Sequence, residues 1–204
     1  MSPSLSTRRL KLNAFTADDA VELHALFADP ETHTIGSGPF TAFEQTERWI
    51  AARVTAQHDH GLCWYALRCS ETGLLVGNCG MLKGRTSFEE PEIGYLIRAS
   101  HRSRGYATEA ATAVLEQCQA AGIRRVWASI RPHNTASRHI ATRLGMHVDH
   151  TDNDGLLFYV IDLHPTDLAD QQVRRASQIV GLKVTVRDPG VKSPKDCCQD
   201  SPGQ

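Results

Sequence analysis

The stretch Arg102-Ser103-Arg104-Gly105-Tyr106-Ala107-Thr108-Glu109 decides how this chain is read, because of what stands on either side of it. Before it, Glu92-Ile-Gly-Tyr-Leu-Ile97 reads as an apolar strand. After it, Ala107, Ala110, Ala111, Val114, Leu115, Cys118 and Ala121 recur at helical spacing, and Gly122 is placed to stop the helix. The turn between them is basic, with Arg98, His101, Arg102 and Arg104. The first turn of a helix leaves backbone N–H groups without partners and carries partial positive charge. A glycine there lets a ligand come close to the backbone, and arginines add charge suited to phosphate oxygens. The stretch therefore reads as a pyrophosphate cradle. It is neither a G-x-G-x-x-G dinucleotide turn nor a G-K-[ST] nucleotide loop, since neither spacing occurs there.

Working outward, residues 7–15 alternate as one strand. Thr16-Ala-Asp-Asp19 resembles a capping box and opens a helix bearing Ala20, Leu23 and Phe27, which ends at Asp29-Pro30. Thr41-x-x-Glu44 opens a second helix to about Thr55. Strands follow at 64–68 and 74–81, joined by the hairpin signal Ser70-Glu-Thr-Gly73. Beyond the central helix, 126–130 is a strand, Asn134 caps a helix ending at Gly145, and 156–163 is a strand apolar on both faces. From His164 the composition changes. Residues 166–177 could form a short helix, and the Pro-, Lys- and Asp-rich stretch 187–204 is expected to be largely disordered. The domain is thus placed at 1–163, with 164–204 as an extension.

The 204 residues suffice for one domain with a sizeable core. With 41% hydrophobic and 22% charged residues and a net charge of −1, nothing marks nucleic acid or a membrane as partner. The first residues lack the apolar core of a signal peptide, so the cytoplasm is the expected compartment. Six cysteines (63, 69, 79, 118, 197 and 198) form no C-x-x-C pair and read as free thiols. His58, His60 and Cys63 lack a second ligand pair at metal spacing, so no metal is expected.

Arg102-x-x-Gly105-x-Ala107 resembles the [QR]-x-x-G-x-[GA] signature of the GNAT acetyltransferase superfamily, and the element order is similar as well. Thr7-Arg-Arg-Leu10, Glu92-Ile-Gly94-Tyr95 and Asn134-Thr-Ala-Ser137 with Leu144-Gly145-Met146 resemble its RimJ/RimL-type branch. The resemblance covers about residues 7 to 163. It implies an α/β (α+β) GNAT fold, a mixed sheet of about six to seven strands flanked by about four helices. It implies acetyl-CoA as co-substrate and a primary amine as acceptor, a peptide N-terminus or a small amine. It assigns the pyrophosphate to Arg102 and the backbone of Arg104, Gly105, Tyr106, Ala107 and Thr108. The pantetheine arm falls to Leu96, Ile97 and Arg98, with a backbone N–H polarising the thioester carbonyl. Asn134 would meet that arm and Ser137 would approach the sulfur.

Acyl transfer to an amine needs the amine neutral, and a free α-amine titrates near ~8 and lysine near ~10.4, so a base helps. Glu92 is the candidate base, acting through water, with Glu89 and Glu90 competing. Ser137 is the candidate donor to the leaving thiolate, because many members carry a tyrosine one turn further on and this chain has Ala141 there. Tyr159 is the reserve donor. Glu31, His33, Phe40, Trp49, Glu89 and Glu90 are expected to wall the acceptor site, their carboxylates suiting a cationic amine. Two other readings stay open: a catalytically silent acyl-CoA-binding module, and an enzyme for a longer acyl donor. Monomer and homodimer are both compatible with the sequence.

Overall fold

The structure is a computed structural model that describes residues 1–32, 38–84 and 87–163. These lie within one compact unit, Met1–Pro165. The expected extension, His33, Cys197 and Cys198 fall outside the described residues. The elements are β1 (Ser4–Ser6), β2 (Leu10–Ala14), α1 (Ala20–Phe27), α2 (Phe43–His60), β3 (Trp64–Cys69), β4 (Leu75–Leu82), β5 (Glu92–Ile97), α3 (Tyr106–Ala120), β6 (Arg125–Ile130), α4 (Thr135–Arg143), β7 (His147–Thr151) and β8 (Leu157–Asp162). They form one eight-stranded mixed sheet in the order β1-β2-β3-β4-β5-β6-β8-β7. That is one or two strands more than the sequence reading. The additions are short β1, which precedes the expected 7–15 strand and pairs with β2, and β7. All five β7 residues are exposed, so this edge strand carries no hydrophobic alternation to betray it.

The helix starts were legible with one shift. Asp19 accepts from the Thr16 N–H at 2.9 Å, as the capping box requires, although the first turn is 3₁₀. At α2 the capping side chain is Gln45, which accepts from the N–H groups of Thr41 and Ala42 at 2.8 and 2.9 Å. The helix therefore starts at Phe43, and it runs to His60, where Gly61 takes the left-handed conformation (φ 68°) that closes it. The sequence reading had stopped it near Thr55. Its last turn carries polar His58, Asp59 and His60, which hid its length.

Two apolar cores sandwich the sheet. On one face α3 and α4 pack Ala110, Ala111, Val114, Cys118 and Ala141 against Leu10, Leu12, Cys79, Met81 and Ile93. On the other, α1 and α2 pack Leu23, Leu26, Phe27 and Ile50 against Trp64, Ala66 and Leu75. Cys63, Cys79 and Cys118 are buried free thiols. Burial raises all three, with Cys118 at about 12. No helix among the described residues is long and apolar enough to cross a membrane.

The sheet is continuous up to β5. There β5 and β6, the only parallel pair among the described residues, keep a single register position, Glu92 opposite Trp127. Beyond it the two strands diverge, and the functional cleft opens in the gap.

Candidate functional site

The cradle forms where β5 hands over to α3. Ser103 (φ 58°) and Gly105 (φ 79°) both sit in the left-handed region on either side of Arg104. The first intrahelical bond of α3 runs from the Glu109 N–H to the Gly105 carbonyl at 3.0 Å. The N–H groups of Tyr106, Ala107 and Thr108 therefore precede it and face out of the helix end. Such a turn is a concave anion site. Burial, then the charges of Arg104 and Arg98, hold His101 below its usual pKa, which marks the turn as positive. A pyrophosphate fits these residues.

The arginines do more than the sequence suggested. Arg102 donates Nε to the Ile97 carbonyl at 3.2 Å and an Nη to the Thr32 carbonyl. Arg104 reaches the Ser100 carbonyl at 3.2 Å, and Arg98 the Leu75 carbonyl at 3.3 Å. Thr32 is fully buried and also accepts from the Ala99 N–H at 2.9 Å. Arg102 thus locks the turn to the end of α1 as well as charging it.

A second clamp ties the opening strand to the cradle. Glu109 Oε1 accepts from Thr7 Oγ1 at 2.6 Å and from the Arg9 N–H at 2.9 Å, while Oε2 accepts from Arg9 Nε at 2.7 Å. The Arg9 guanidinium also lies 4.8 Å from the centre of the Tyr106 ring. Burial alone would raise the Glu109 carboxyl, but the Thr7 and Arg9 bonds outweigh it and hold it below the usual value of 4.5. A depressed carboxylate contributes stability above its unfolded pKa and loses it as pH falls through the folded one. Glu109→Gln should therefore lower Tm by about 3–8 °C at pH 7, for bonds each worth roughly 1–2 kcal/mol. The gap to the parent should narrow as pH falls below the usual 4.5 and on through the lower value held in the fold, where the parent carboxyl itself takes up a proton. Thermal unfolding across that range reads this, and a gap independent of pH would show that the charge of Glu109 plays no part.

The cleft lies between the diverging strands, with a volume of about 620 Å³. Its walls include Ile93, Gly94, Tyr95 and Leu96 of β5, Ala128, Ser129 and Ile130 of β6, and Asn134 and Ser137 at the start of α4. The Arg98 N–H donates to the Val76 carbonyl at 2.9 Å, and Leu96 stands opposite Asn78. By strand alternation the backbone of Leu96 and Arg98 faces β4, and that of Tyr95 and Ile97 faces the gap. The sequence reading put pantetheine contacts on Leu96, Ile97 and Arg98. The pleat turns the backbone of Ile97 towards the gap together with that of Tyr95, turns that of Arg98 towards β4, and leaves the Leu96 side chain on the cleft wall.

Glu92 sits at the point of divergence, 7% exposed, with Oε2 accepting from Ser129 Oγ at 2.7 Å. It reaches the cleft wall through that hydroxyl. Its competitors are placed elsewhere: Glu90 accepts from Trp127 Nε1 at 2.8 Å and lies 3.8 Å from Arg125, and Glu89 is exposed. At α4, Asn134 Oδ1 caps the Ser137 N–H at 3.1 Å while its Nδ2 donates to Ser137 Oγ at 2.9 Å. Because that oxygen accepts from Asn134, the hydroxyl proton of Ser137 is left to donate into the cleft. Tyr95 OH donates to the Ser137 carbonyl at 3.2 Å and fixes β5 to this turn. Ala141 is buried, and Tyr159, 4% exposed, packs in the α3-side core.

The far end of the cleft is aromatic: Phe27, Phe40, Trp49 and Trp64 line it. Trp49 meets Phe27 at 4.8 Å and Trp64 at 5.3 Å, both edge to face. Behind them the Arg53 guanidinium lies 3.9 Å from the Trp49 ring and 5.3 Å from the Trp64 ring. Burial lowers this arginine to about 10. Phe40 and Trp49 are thus placed as expected. The carboxylates are not: Glu31 is exposed, and the acidic residues that line the cleft are Asp152 and Asp154 of the β7–β8 turn. Sequence reasoning also passed over Trp64 and Asn78. Trp64 Nε1 donates to Asn78 Oδ1 at 3.1 Å. The available signal was a lone polar residue between glycines in the otherwise apolar strand Leu75–Leu82.

The family described as "Acetyltransferase (GNAT) domain" matches residues 9–147. The chain is 31% identical over 150 residues to the protein YkkB of Bacillus subtilis (strain 168), covering 72% of this chain and 87% of that one. It superposes on the acetyltransferase of Agrobacterium tumefaciens str. C58 with a TM-score of 0.69 at 27% identity, over 79% of this chain and 95% of the other. RimL, a ribosomal L7/L12 alpha-N-protein acetyltransferase solved with coenzyme A, shares the fold with a TM-score of 0.68 at 18% identity, over 78% and 97% of the two chains.

Proposed function

The chain belongs to the GNAT acetyltransferase family, and from that premise we propose that it acetylates a primary amine, the α-amine of a peptide or a small-molecule amine, by direct attack within a ternary complex. As an acetyl-CoA-dependent acetyltransferase it draws its acetyl group from a thioester. The observation that carries the finer reading is the continuity of the site. The β5 edge at Tyr95, the hydroxyl donor at Ser137 and an aromatic chamber line a single cleft, and β5 leads from it into the turn that starts α3. RimL, whose acceptor is a protein α-amine, shares the fold and favours a peptide N-terminus among the amines.

Each residue has a role that follows from its bonds. The N–H groups of Gly105 to Thr108 hold the pyrophosphate. The Tyr95 and Ile97 backbone pairs with the pantetheine arm, and a N–H of that edge polarises the thioester carbonyl. Ser137 gives a hydrogen bond to the departing sulfur, and Asn134 aims it. Glu92 draws the amine proton by way of Ser129, the hydroxyl it already holds. Bringing two substrates together in one cleft supplies much of the acceleration.

Calorimetric titration with CoA and acetyl-CoA, followed by thiol release against amines and N-terminal peptides, tests the proposal. Amine-dependent release supports it. Tight binding with no release from any amine favours the silent module. Ser137→Ala should lower kcat about 10- to 100-fold, the scale of one lost donor to developing charge, and leave CoA affinity within about threefold. A loss confined to affinity would remove Ser137 from the leaving-group role.

A further inference from the structure

Asn78 is 1% exposed, and its Nδ2 has no hydrogen-bond partner. A buried, unpaired amide donor is costly, and native structures rarely keep one without use. Its orientation follows from chemistry. An indole N–H can only donate, so the atom Trp64 Nε1 meets at 3.1 Å must be the carbonyl oxygen, which leaves the NH₂ group free. Asn78 lines the cleft beside Trp64, and on β4 it stands opposite Leu96, on the strand paired with the one that diverges from β6. Strand alternation puts it on the α1–α2 face with Gly80, Gly94 and Leu96, the face that carries the aromatic chamber and not the one that α3 covers.

We propose that Asn78 is a specificity-determining residue that donates Nδ2–H to a carbonyl oxygen of the acceptor. The acceptor is then an α-amino carbonyl compound with an apolar side chain, as found in an amino-acid amide or a peptide N-terminus. This rests on the acyl transfer to amines proposed above. The three parts of such a molecule match three features of the cleft. Its ammonium is drawn by Asp152 and Asp154, its side chain fills the box of Phe27, Phe40, Trp49 and Trp64, and its carbonyl takes the Asn78 donor. A simple amine of equal bulk would leave that donor unpaired on a desolvated wall. Sites built to hydrogen-bond a substrate group reject analogues that lack it.

The test uses two conjugates in which coenzyme A is joined through an acetyl bridge to the nitrogen of leucinamide or of isoamylamine, the same molecule without its carboxamide. Calorimetry on the full chain should give the leucinamide conjugate about a tenfold or greater advantage in affinity. Asn78→Ala should abolish that advantage while keeping the affinity for coenzyme A itself. Asn78→Asp keeps an acceptor for Trp64 and guards against a misfolded alanine variant. Its preference should fall as pH rises and its carboxyl loses the proton it could donate. Equal affinities in the parent, or a preference that survives Asn78→Ala, would overturn the assignment. Thiol release with the two free amines separates the failures. Release without preference overturns the Asn78 role alone. No release, with conjugates binding no better than coenzyme A, overturns the acceptor site on which it rests.

Discussion

Gly105→Glu should raise the Kd for coenzyme A at least about 100-fold. Two effects add. Gly105 has a φ of 79°, a conformation that costs an L-residue about 1–2 kcal/mol. The new carboxylate would stand at the N-terminus of α3, within a few ångströms of a diphosphate. At about 5 Å and an effective dielectric near 20, two unit charges repel by roughly 3 kcal/mol. The fold should survive, because an acidic group at a helix start favours the helix dipole. Gly105→Ala isolates the strain. A Cβ there meets nothing closer than an Arg9 guanidinium nitrogen at 3.4 Å, the end of a flexible side chain. The alanine variant should bind within about tenfold of the parent. Calorimetry reads both, and a glutamate variant that binds like the parent would mean the diphosphate is held elsewhere.

Gly80→Ala should be among the most damaging small substitutions in the sheet. A Cβ at Gly80 would lie 2.4 Å from Trp64 Cα and 2.6 Å from the Cys63 carbonyl oxygen. These are backbone atoms of the neighbouring strand, paired in register with Gly80, and they cannot move without parting β3 from β4. The expected cost is about 3 kcal/mol, a fall in Tm of roughly 6–12 °C for a chain of this size. Gly94→Ala makes the useful contrast. Its Cβ would meet the tip of the Trp64 ring at 2.6 Å, with the other two ring contacts at 3.5 Å. The ring can tilt, so stability should suffer less and the acceptor end of the cleft more. Melting curves beside acceptor KM values separate the two, and a Gly80→Ala protein that melts within about 2 °C of the parent would show that the strands have room.

The cradle was legible because it is local. Gly105 needs a left-handed backbone, α3 needs small residues where it meets the sheet, and both demands are written within eight consecutive residues. The Asn134–Ser137 pair was legible for the same reason, since a helix cap spans three residues. The apolar elements were legible from their periodicity, and β7 was missed because it has none. The role of Arg102 was half legible. Its charge is in the sequence, but its bond to Thr32 crosses 70 positions. Glu92 was chosen from its strand position, and only the fold shows that it faces Ser129 across the divergence, with Glu90 turned to Trp127 and Arg125.

By itself the sequence determined the mixed α/β architecture, the glycine turn that opens α3 and the Asn134–Ser137 helix cap, because spacing along one strand or one helical turn fixes those geometries directly. The tertiary structure decided which backbone edge faces the cleft, which carboxylate reaches its wall, and that Trp64 and Asn78 line its aromatic end. Those depend on strand divergence after Glu92 and on pleat register between β4 and β5. One residue of slip exchanges every inward and outward group of a strand, and the register is set by packing between segments far apart in the chain.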